Sequence, residues 1–456
     1  MLNLFLNIRF IYKLFSFSLL LSLISGCSSY GLITNLEHDK SSQNLNKNYS
    51  IKSAIQSKPQ GDITLVLALS GGGTRAAALS YGVLQALEET QIKPSKKVTL
   101  LDEVDVISSV SGGSFTAAYY GIYGKRTFKN YKQQILMTDI EAELISAVLN
   151  PFRWFSSTGR TQLAIDYYNL KLFGGKTFKD LNKPGHPLIL INASDLTNGV
   201  RFSFVQEYFN LICSDIKDMP IGKAVAASSA VPILFNPVVL KNYQPCENQA
   251  SKQLKLAQQA VYRKLELEQA INGLSEYVHT PYPFLHLVDG GITDNLGLRA
   301  IYEAVELSGG PKAFLKKMNK QKTKHIVAIS VDASTKSSHL IKQTNKVPTA
   351  LQSINAMSDI QIHRYNSATT ELFKQSLGRW SKQLSTTDTP VKNHFIQLNF
   401  EQLSEEEQVL LNQIPTSLTL TEEQIELLIQ TGKKLLKQNP VYIELLNDLN
   451  RSALVN

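Results

Sequence analysis

Two short apolar runs, each closed by glycines, constrain the fold of this chain more than any other feature. Residues Ile63–Leu69 and Val104–Val110 are rich in aliphatic side chains, as expected of strands that are buried on both faces. Glycines follow at 71–73 and 112–113, and a helical pattern follows each turn. A strand, helix and strand in this order form a right-handed parallel crossover. We therefore predict an α/β fold with a mostly parallel central sheet flanked by helices.

The remaining apolar runs extend this sheet. Further strand candidates cover residues 187–193, 202–205, 238–240, 284–288, 325–331 and 394–398. We expect the folded part to begin at Asp62, with a core over 62–310 and a C-terminal α/β extension over 311–456. The extension holds helical patterns at 348–373 and 421–437.

Residues 249–277 look like an insertion into the core. The residues that recur there at helical spacing among Lys, Gln and Glu are Leu254, Ala257, Val261, Leu265, Glu268 and Ile271. This pattern predicts an amphipathic helix. Such a helix can pack its apolar stripe on the body, or it can serve as a lid or a surface that meets lipid.

The first 26 residues have the features of a secretory signal. Arg9 and Lys13 precede the apolar run 14–24, and small residues follow before Cys27. The apolar run is too short for a comfortable membrane span. A plain signal peptide and an uncleaved anchor share these features.

Residues Leu23–Cys27 resemble the bacterial lipobox, in which an apolar residue and two small residues precede a cysteine. The resemblance implies that Cys27 becomes the lipidated first residue of the mature chain. Several acyl chains on one cysteine make such an anchor stable. Ser28, in place of an aspartate, implies sorting to the outer membrane of a bacterial envelope. We expect residues 27–61, which are rich in Ser, Asn, Lys and Gln, to form a flexible tether.

Charge and cysteine content exclude several classes of protein. The chain has 47 Lys and Arg against 38 Asp and Glu, a net charge of +9 without a dense basic block. This excludes nucleic-acid binding on charge alone and leaves room for mild attraction to an anionic membrane. Three cysteines exclude a disulfide-stapled scaffold and a closed zinc site. In an oxidising compartment, Cys213 and Cys246 could pair.

The second glycine turn contains a candidate nucleophile, Ser111. Ser109 lies two residues before it and Gly113 two residues after, and both are small. A nucleophile elbow needs small residues there because a sharp strand-to-helix turn brings the flanking backbones together. The turn also aims the Gly112 amide and the start of the next helix at the space above Ser111, where an oxyanion would form. A structural or phosphate-binding turn remains the alternative.

The first glycine turn, residues 70–76, offers a row of unhindered backbone donors to an anion. It also fits the dinucleotide fingerprint, with Gly71, Gly73 and Ala76 at the three small positions. The acidic residue due about 20 residues later in that fingerprint is missing. We therefore disfavour a nucleotide site.

The candidate base is Asp289, since no histidine stands in a motif that would single it out. Asp289 ends the apolar run 284–288 and enters a glycine turn. A carboxylate whose pKa is about 4 is a weak base, so it must be partly desolvated and close to the hydroxyl. A carboxylate base also predicts that turnover does not fall with a pKa near about 6.5, the value of histidine. A common Asp-Gly turn is the alternative for Asp289 considered by itself.

Three motifs together resemble the patatin-like phospholipases. They are Gly-Gly-Gly-x-Arg at 71–75, Ser-x-Ser-Gly-Gly at 109–113 and Asp-Gly-Gly at 289–291. The segments 194–199 and 227–232 resemble further stretches of that family. The resemblance extends over about residues 62–310 and implies a three-layer α/β/α sandwich.

The resemblance implies a role for each matching residue. Ser111 would be the nucleophile, Asp289 the base, and Gly71, Gly72 and Gly73 the oxyanion hole together with Gly112. Arg75 would support the glycine loop. The residues at which the chain departs from the family pattern are Ser70, where the family has Asp, and Ala76, where it has Gly. Both lie beside the oxyanion loop, so they affect its details more than the dyad.

These observations predict a serine acyl hydrolase that cleaves carboxylic esters of phospholipids or lysophospholipids through a Ser–Asp dyad and an acyl-enzyme. The chemistry requires no metal or cofactor, and we expect no nucleotide or nucleic acid as partner. A non-catalytic envelope lipoprotein that binds lipid or a protein, and a transacylase, are the alternatives. Asp195 is a weaker candidate base, more simply explained by an Asx turn. Phe152, Trp154 and Phe155 could line an acyl pocket, touch lipid or pack in a loop.

Overall fold

The computed structural model describes residues 31–38, 49–93, 97–143, 160–232, 234–245, 252, 254, 265–279, 282–336 and 345–455. The strands of its central sheet are β1 Ile63–Leu69, β2 Val104–Val110, β3 Leu188–Asp195, β4 Arg201–Ser203, β5 Val238–Lys241, β6 Phe284–Val288, β7 His325–Val331 and β8 Lys392–Leu398. The α-helices are α1 Ile51–Ser57, α2 Gly73–Glu89, α3 Gly112–Tyr123, α4 Thr127–Tyr131, α5 Arg160–Tyr167, α6 Phe178–Leu181, α7 Gln206–Leu211, α8 Ile221–Ser228, α9 Leu265–His279, α10 Gly291–Asp294, α11 Leu298–Glu306, α12 Pro311–Met318, α13 Ala350–Leu384, α14 Glu405–Asn412, α15 Glu422–Gln438 and α16 Pro440–Val455.

The eight strands form one mixed sheet in the order β8-β7-β1-β2-β3-β6-β5, and β4 pairs with β3 outside this path. Strands β8, β7, β1, β2 and β3 run parallel to one another. Strand β6 is antiparallel to both β3 and β5, and β4 is antiparallel to β3. The prediction of a mostly parallel sheet flanked by helices is confirmed.

Helices cover both faces of the sheet because its crossovers run in two directions. The path β1-α2-β2 moves one way along the sheet, whereas β7-α13-β8 moves the other way. Right-handed crossovers in opposite directions place their helices on opposite faces. The outer helix α15 lies against α2, where Gly82 approaches so closely that a Cβ would lie 2.1 Å from the Ile429 carbonyl oxygen. The result is the expected three-layer arrangement.

Part of the segment expected to be a tether is packed on the body instead. The backbone of residues 36–37 pairs with Ser214–Asp215. The buried Tyr49 hydroxyl accepts a hydrogen bond from the Ile189 N–H at 2.7 Å and donates one to the Ile189 carbonyl at 3.0 Å. Helix α1 follows, begun by a Ser50 capping box. A few apolar side chains among many polar ones suffice to dock this segment, so composition alone is a poor guide to it.

The inserted helix is observed as α9, although residues 249–251, 253 and 255–264 of the insertion lie outside the described part of the chain. Its buried face carries Leu267, Ile271, Leu274 and Tyr277. Leu265, which the expected stripe includes, is 67% exposed. The stripe is therefore rotated about the helix axis from the predicted one.

The described part of the chain contains no helix long and apolar enough to cross a bilayer. The proposed signal, Cys27, Cys246 and the aromatic residues at 152–155 lie outside that part. Cys213 is disulfide-bonded. Strands β7 and β8, from the predicted C-terminal extension, continue the same sheet as the core.

Candidate active site

Ser111 occupies a strained turn between β2 and α3. Its backbone dihedral angles are φ 49° and ψ −120°, in a region that residues other than glycine rarely adopt. Helix α3 begins at the next residue, so the positive end of its dipole lies beside the serine. Strain at the first residue before a helix is what a nucleophile elbow requires.

The glycines of the elbow are needed because the first glycine loop lies against it. A Cβ on Gly112 would lie 1.9 Å from the Gly73 carbonyl oxygen. A Cβ on Gly113 would lie 2.7 Å from the Leu69 carbonyl oxygen, and its N–H donates to the Ser70 carbonyl at 3.2 Å. The ends of β1 and β2 thus meet with no space for side chains between them.

Ser111 and Asp289, which are far apart in sequence, form a buried hydrogen-bonded pair. The Ser111 Oγ donates to Asp289 Oδ2 at 2.8 Å. The other carboxylate oxygen, Oδ1, accepts the Gly291 N–H at 2.7 Å. Asp289 reaches the site at the end of β6, which is antiparallel to β3, and not at the end of a parallel strand. The sequence pattern places both residues near one edge but does not reveal this strand direction.

Burial changes the acid–base properties of this carboxyl group. It raises the pKa of Asp289 from its ordinary value of 3.8 to about 6, and the hydrogen bonds from Gly291 and Ser111 offset part of that effect. A carboxylate with this pKa is a better base than an exposed aspartate. This value is close to that of histidine, so the structure predicts an ionisation of turnover near pH 6, in contrast to the expectation from the sequence.

The glycine loop after β1 faces the serine. A Cβ on Gly71 would lie 3.3 Å from Ser111 Cβ. The Gly71 N–H, however, donates to the Asn295 carbonyl at 3.0 Å, so it is not available to an oxyanion in this conformation. Among the described residues, the N–H groups of Gly72, Gly73 and Gly112 have no hydrogen-bond acceptor. These three amides are the candidates for an oxyanion hole.

Arg75 stabilises the glycine loop through hydrogen bonds of its side chain. Its buried guanidinium donates to the Ala333 carbonyl at 2.8 Å, to the Ile414 carbonyl at 2.6 Å and to Thr416 Oγ1 at 2.9 Å. Burial lowers the pKa of Arg75 to about 10, which leaves it charged at neutral pH. All three acceptors are neutral oxygens of the protein. None of them is an anionic group whose place a substrate anion would take. Arg75 therefore holds the first turn of α2 in place.

The chain also uses polar residues that the motif analysis did not single out. The Ser111 N–H donates to Ser228 Oγ at 2.8 Å, and Ser228 Oγ donates to the Asn192 carbonyl at 2.6 Å. Ser228 ends α8, within the stretch of small residues at 227–232. Asn295, four residues after the base motif Asp-Gly-Gly at 289–291, holds the glycine loop through its carbonyl. The signals for Ser228 were its position at a helix end and the resemblance of segment 227–232 to the family, neither of which indicates its contact with Ser111.

Asp195 has a structural role. Its Oδ1 accepts the Thr197 N–H at 2.9 Å, which forms the expected Asx turn. Its Oδ2 accepts the Tyr277 hydroxyl of α9 at 2.8 Å. The carboxylate thus ties the inserted helix to the end of β3.

One group of side chains has the composition of a metal site, at the opposite edge of the sheet. Ligand atoms of His325, His394 and Asp448 lie within 4.8 Å of one another. The two imidazoles are hydrogen-bonded at 3.2 Å, and Lys392 Nζ contacts both carboxylate oxygens of Asp448 at 2.8 Å. A hydrogen bond and an ion pair therefore satisfy these groups within the chain.

Comparison with known proteins identifies the family of this chain. A family model described as patatin-like phospholipase matches residues 67–302, just over half of the chain. No curated protein matches in sequence at a significant level. Similar solved structures include human GIVD cytosolic phospholipase A2, with 13% identity and a TM-score of 0.44 over 93% of this chain and 69% of that one. The same human protein with methyl gamma-linolenyl fluorophosphonate has 14% identity and a TM-score of 0.37, over 93% and 66%. From the extent of the family match, the chain belongs to the patatin-like phospholipases.

Proposed function

We propose that this chain is a serine acyl hydrolase that cleaves carboxylic ester bonds of phospholipids or lysophospholipids. Membership of the patatin-like phospholipases supports a lipid hydrolase. The observation that carries the proposal is the 2.8 Å hydrogen bond between the strained Ser111 and the buried Asp289. A hydroxyl at the start of a helix, paired with a carboxylate of raised pKa, has the elements of an activated nucleophile.

The reaction proceeds in two steps at this site. Ser111 Oγ attacks the ester carbonyl carbon while its proton passes to Asp289 Oδ2. The amides of Gly72, Gly73 and Gly112 donate to the tetrahedral oxyanion. When the intermediate collapses, the ester C–O bond breaks, the leaving alcohol takes the proton from Asp289, and the acyl group remains on Ser111.

Water then completes the cycle. It attacks the acyl carbonyl as Asp289 accepts one of its protons, and the second tetrahedral intermediate expels Ser111 Oγ, which regains that proton. The fatty acid leaves as the second product. Electrons and protons balance within the dyad, the substrate and water.

We further propose that the protein is anchored by acyl chains on Cys27 and works at a bacterial cell envelope, on the outer membrane. The support is the lipobox-like run Leu23–Cys27. Globomycin, which blocks processing of bacterial lipoproteins, would test the anchor. We expect precursor to accumulate in treated cells, and we expect a Cys27→Ala chain to remain unacylated.

Labelling with a serine-reactive fluorophosphonate tests the dyad directly. We expect one modified residue, Ser111, on mass-spectrometric mapping, and loss of labelling in Ser111→Ala and Asp289→Asn. Ser229→Ala is the matched control, since Ser229 is buried nearby and its Oγ donates only to the Val225 carbonyl. A folded chain that does not react would support a lipid-binding lipoprotein instead. Acyl transfer to an added alcohol in preference to water would indicate a transacylase.

A further inference from the structure

Large apolar side chains are exposed at the edge of the sheet that carries Ser111 and Asp289. We define the rim surface as Leu196, Val231, Leu234, Ile292, Met357 and Ile360. These side chains are between 37% and 67% exposed. From their arrangement we propose that the rim surface docks the protein on a phospholipid bilayer, with apolar contacts and not charge as the attraction. This inference rests on the proposed function for its lipid substrate.

Four of these residues belong to segments that surround Asp289. Leu196 directly follows β3, whose end lies beside β2 and Ser111. Val231 and Leu234 follow Ala230, whose carbonyl accepts the Asp289 N–H at 3.0 Å. Ile292 is three residues after Asp289. The exposed apolar area and the dyad therefore share one edge of the sheet.

Helix α13 brings the other two side chains to the same edge. Asn366 Nδ2 donates to Ser334 Oγ at 3.1 Å, just beyond the end of β7, whereas Ser381 Oγ accepts from Asn393 Nδ2 at 2.9 Å, at the start of β8. The helix thus runs from the rim towards the opposite edge. The residues that precede His363 continue for about 20 Å past the rim at the usual helical rise of about 1.5 Å per residue. Met357 and Ile360 belong to this projecting part.

The segments that carry the rim surface contain almost no charged residues. Residues 196–200, 230–237 and 291–293 contain no charged side chain, and residues 350–362 contain only Asp359. Exposed apolar side chains on segments with so little charge of their own favour the interfacial region of a zwitterionic bilayer over an anionic partner.

The position of the proposed anchor supports this orientation. Gly31 lies over Val239 of β5, where a Cβ would be 2.3 Å from the valine side chain. Val239 pairs with His286, whose carbonyl accepts the Leu196 N–H at 2.9 Å. Gly31 is therefore in the same row as the rim. Cys27 precedes it by four residues, which span at most about 14 Å.

Depth-dependent fluorescence quenching tests the docking surface without turnover. The full chain carrying Ser111→Ala and Leu234→Trp would be reconstituted in phosphatidylcholine vesicles with or without bromine on the acyl chains. We expect the added tryptophan to be blue-shifted and strongly quenched by brominated lipid. The matched control is Leu427→Trp on α15, another exposed leucine, whose added signal should not be quenched.

Substitution gives a second measurement. The quantity measured is the turnover on phosphatidylcholine vesicles divided by the turnover on a monomeric short-chain ester. In the chain with intact Ser111, we expect Leu234→Asp to lower this ratio about tenfold, because the substitution removes one leucine that the bilayer would bury. Leu427→Asp should leave that ratio unchanged. We also expect no requirement for anionic lipid and no loss at high salt.

Three results would overturn the proposal. The first is a tryptophan at position 234 that brominated lipid does not quench. The second is quenching that requires anionic lipid and disappears at high salt. The third is self-association without vesicles, detected by analytical ultracentrifugation, that buries this tryptophan in a second copy of the chain. Because the quenching experiment uses Ser111→Ala, it stands apart from catalysis. Quenching without fluorophosphonate labelling would keep the docking surface and refute the hydrolase.

Discussion

The carboxyl group of Asp289 links stability and activity, and Asp289→Asn separates the two. Burial raises the pKa of Asp289 from 3.8 to about 6. The folded chain therefore favours the protonated form, whereas the dyad needs the ionised form. A neutral amide of the same shape removes the cost of ionisation and also removes the base.

The size of the effect follows from the difference between the two pKa values. Since the folded value is higher than the unfolded one, the native carboxyl group contributes its full stabilisation below about pH 4 and loses it as the pH rises through about 6. A difference of this size corresponds to about 3 kcal/mol. Between pH 4 and pH 8, the free energy of unfolding of Asp289→Asn should thus rise by about 3 kcal/mol relative to the wild-type chain.

Urea unfolding at several pH values, followed by circular dichroism, measures this difference. Other buried acids titrate equally in both chains, so they cancel. Turnover of the wild-type chain should rise with pH through about 6, as Asp289 ionises. Asp294→Asn is the matched control, because burial also raises the pKa of Asp294 to about 6 but its carboxylate does not contact Ser111. We expect the turnover of Asp294→Asn to rise with pH as in the wild-type chain. A stability difference that stays constant from pH 4 to pH 8 would refute the argument that Asp289 is desolvated.

Three further predictions concern the glycine turn at Gly112, the buried Arg75 and the disulfide of Cys213. In Gly112→Ala the new Cβ would lie 1.9 Å from the Gly73 carbonyl oxygen, so we expect the free energy of unfolding in urea to fall by about 2 kcal/mol or more and fluorophosphonate labelling to be lost. The control, Gly378→Ala, has no atom near its new Cβ in α13 and should raise the free energy of unfolding by about 0.5–1 kcal/mol. Arg75→Lys should lower the free energy of unfolding by about 1–3 kcal/mol, because one ammonium cannot reach all three oxygen acceptors. Non-reducing peptide mapping should recover Cys213 joined to Cys246, since the Tyr243 N–H donates to the Ile212 carbonyl at 3.0 Å and brings the two segments together.

Strands buried on both faces were the most predictable part of the fold. β1, β2 and β7 have the predicted bounds, because a mostly aliphatic run that ends in Asp or another polar residue marks both ends of such a strand. The half-exposed β6 also has its predicted bounds. Helix α13 was predicted to end near residue 373 but continues to Leu384. Its second half contains Trp380 and polar residues, which give a weak helical pattern although the helix packs on the sheet.

The remaining differences come from contacts between segments far apart in sequence. Tyr49 docks a polar segment through the backbone of Ile189, which no local pattern encodes. The Gly71 amide has the local form of an oxyanion donor, but the Asn295 carbonyl occupies it. Likewise, the composition around Asp289 indicates a turn and does not reveal how completely the turn is buried.

Ser228 shows how such a distant contact can decide reactivity. Its Oγ accepts the N–H of Ser111 and donates to the Asn192 carbonyl, so it holds the strained backbone of the proposed nucleophile. Ser228→Ala leaves that buried N–H without an acceptor, at a cost of about 1–3 kcal/mol. Because the contact holds the elbow and not the substrate, we expect kcat to fall while KM stays nearly constant. The pH dependence should remain that of Asp289. Ser229→Ala, one residue further along, should change neither constant, and a rise in KM alone in Ser228→Ala would place Ser228 in substrate binding instead.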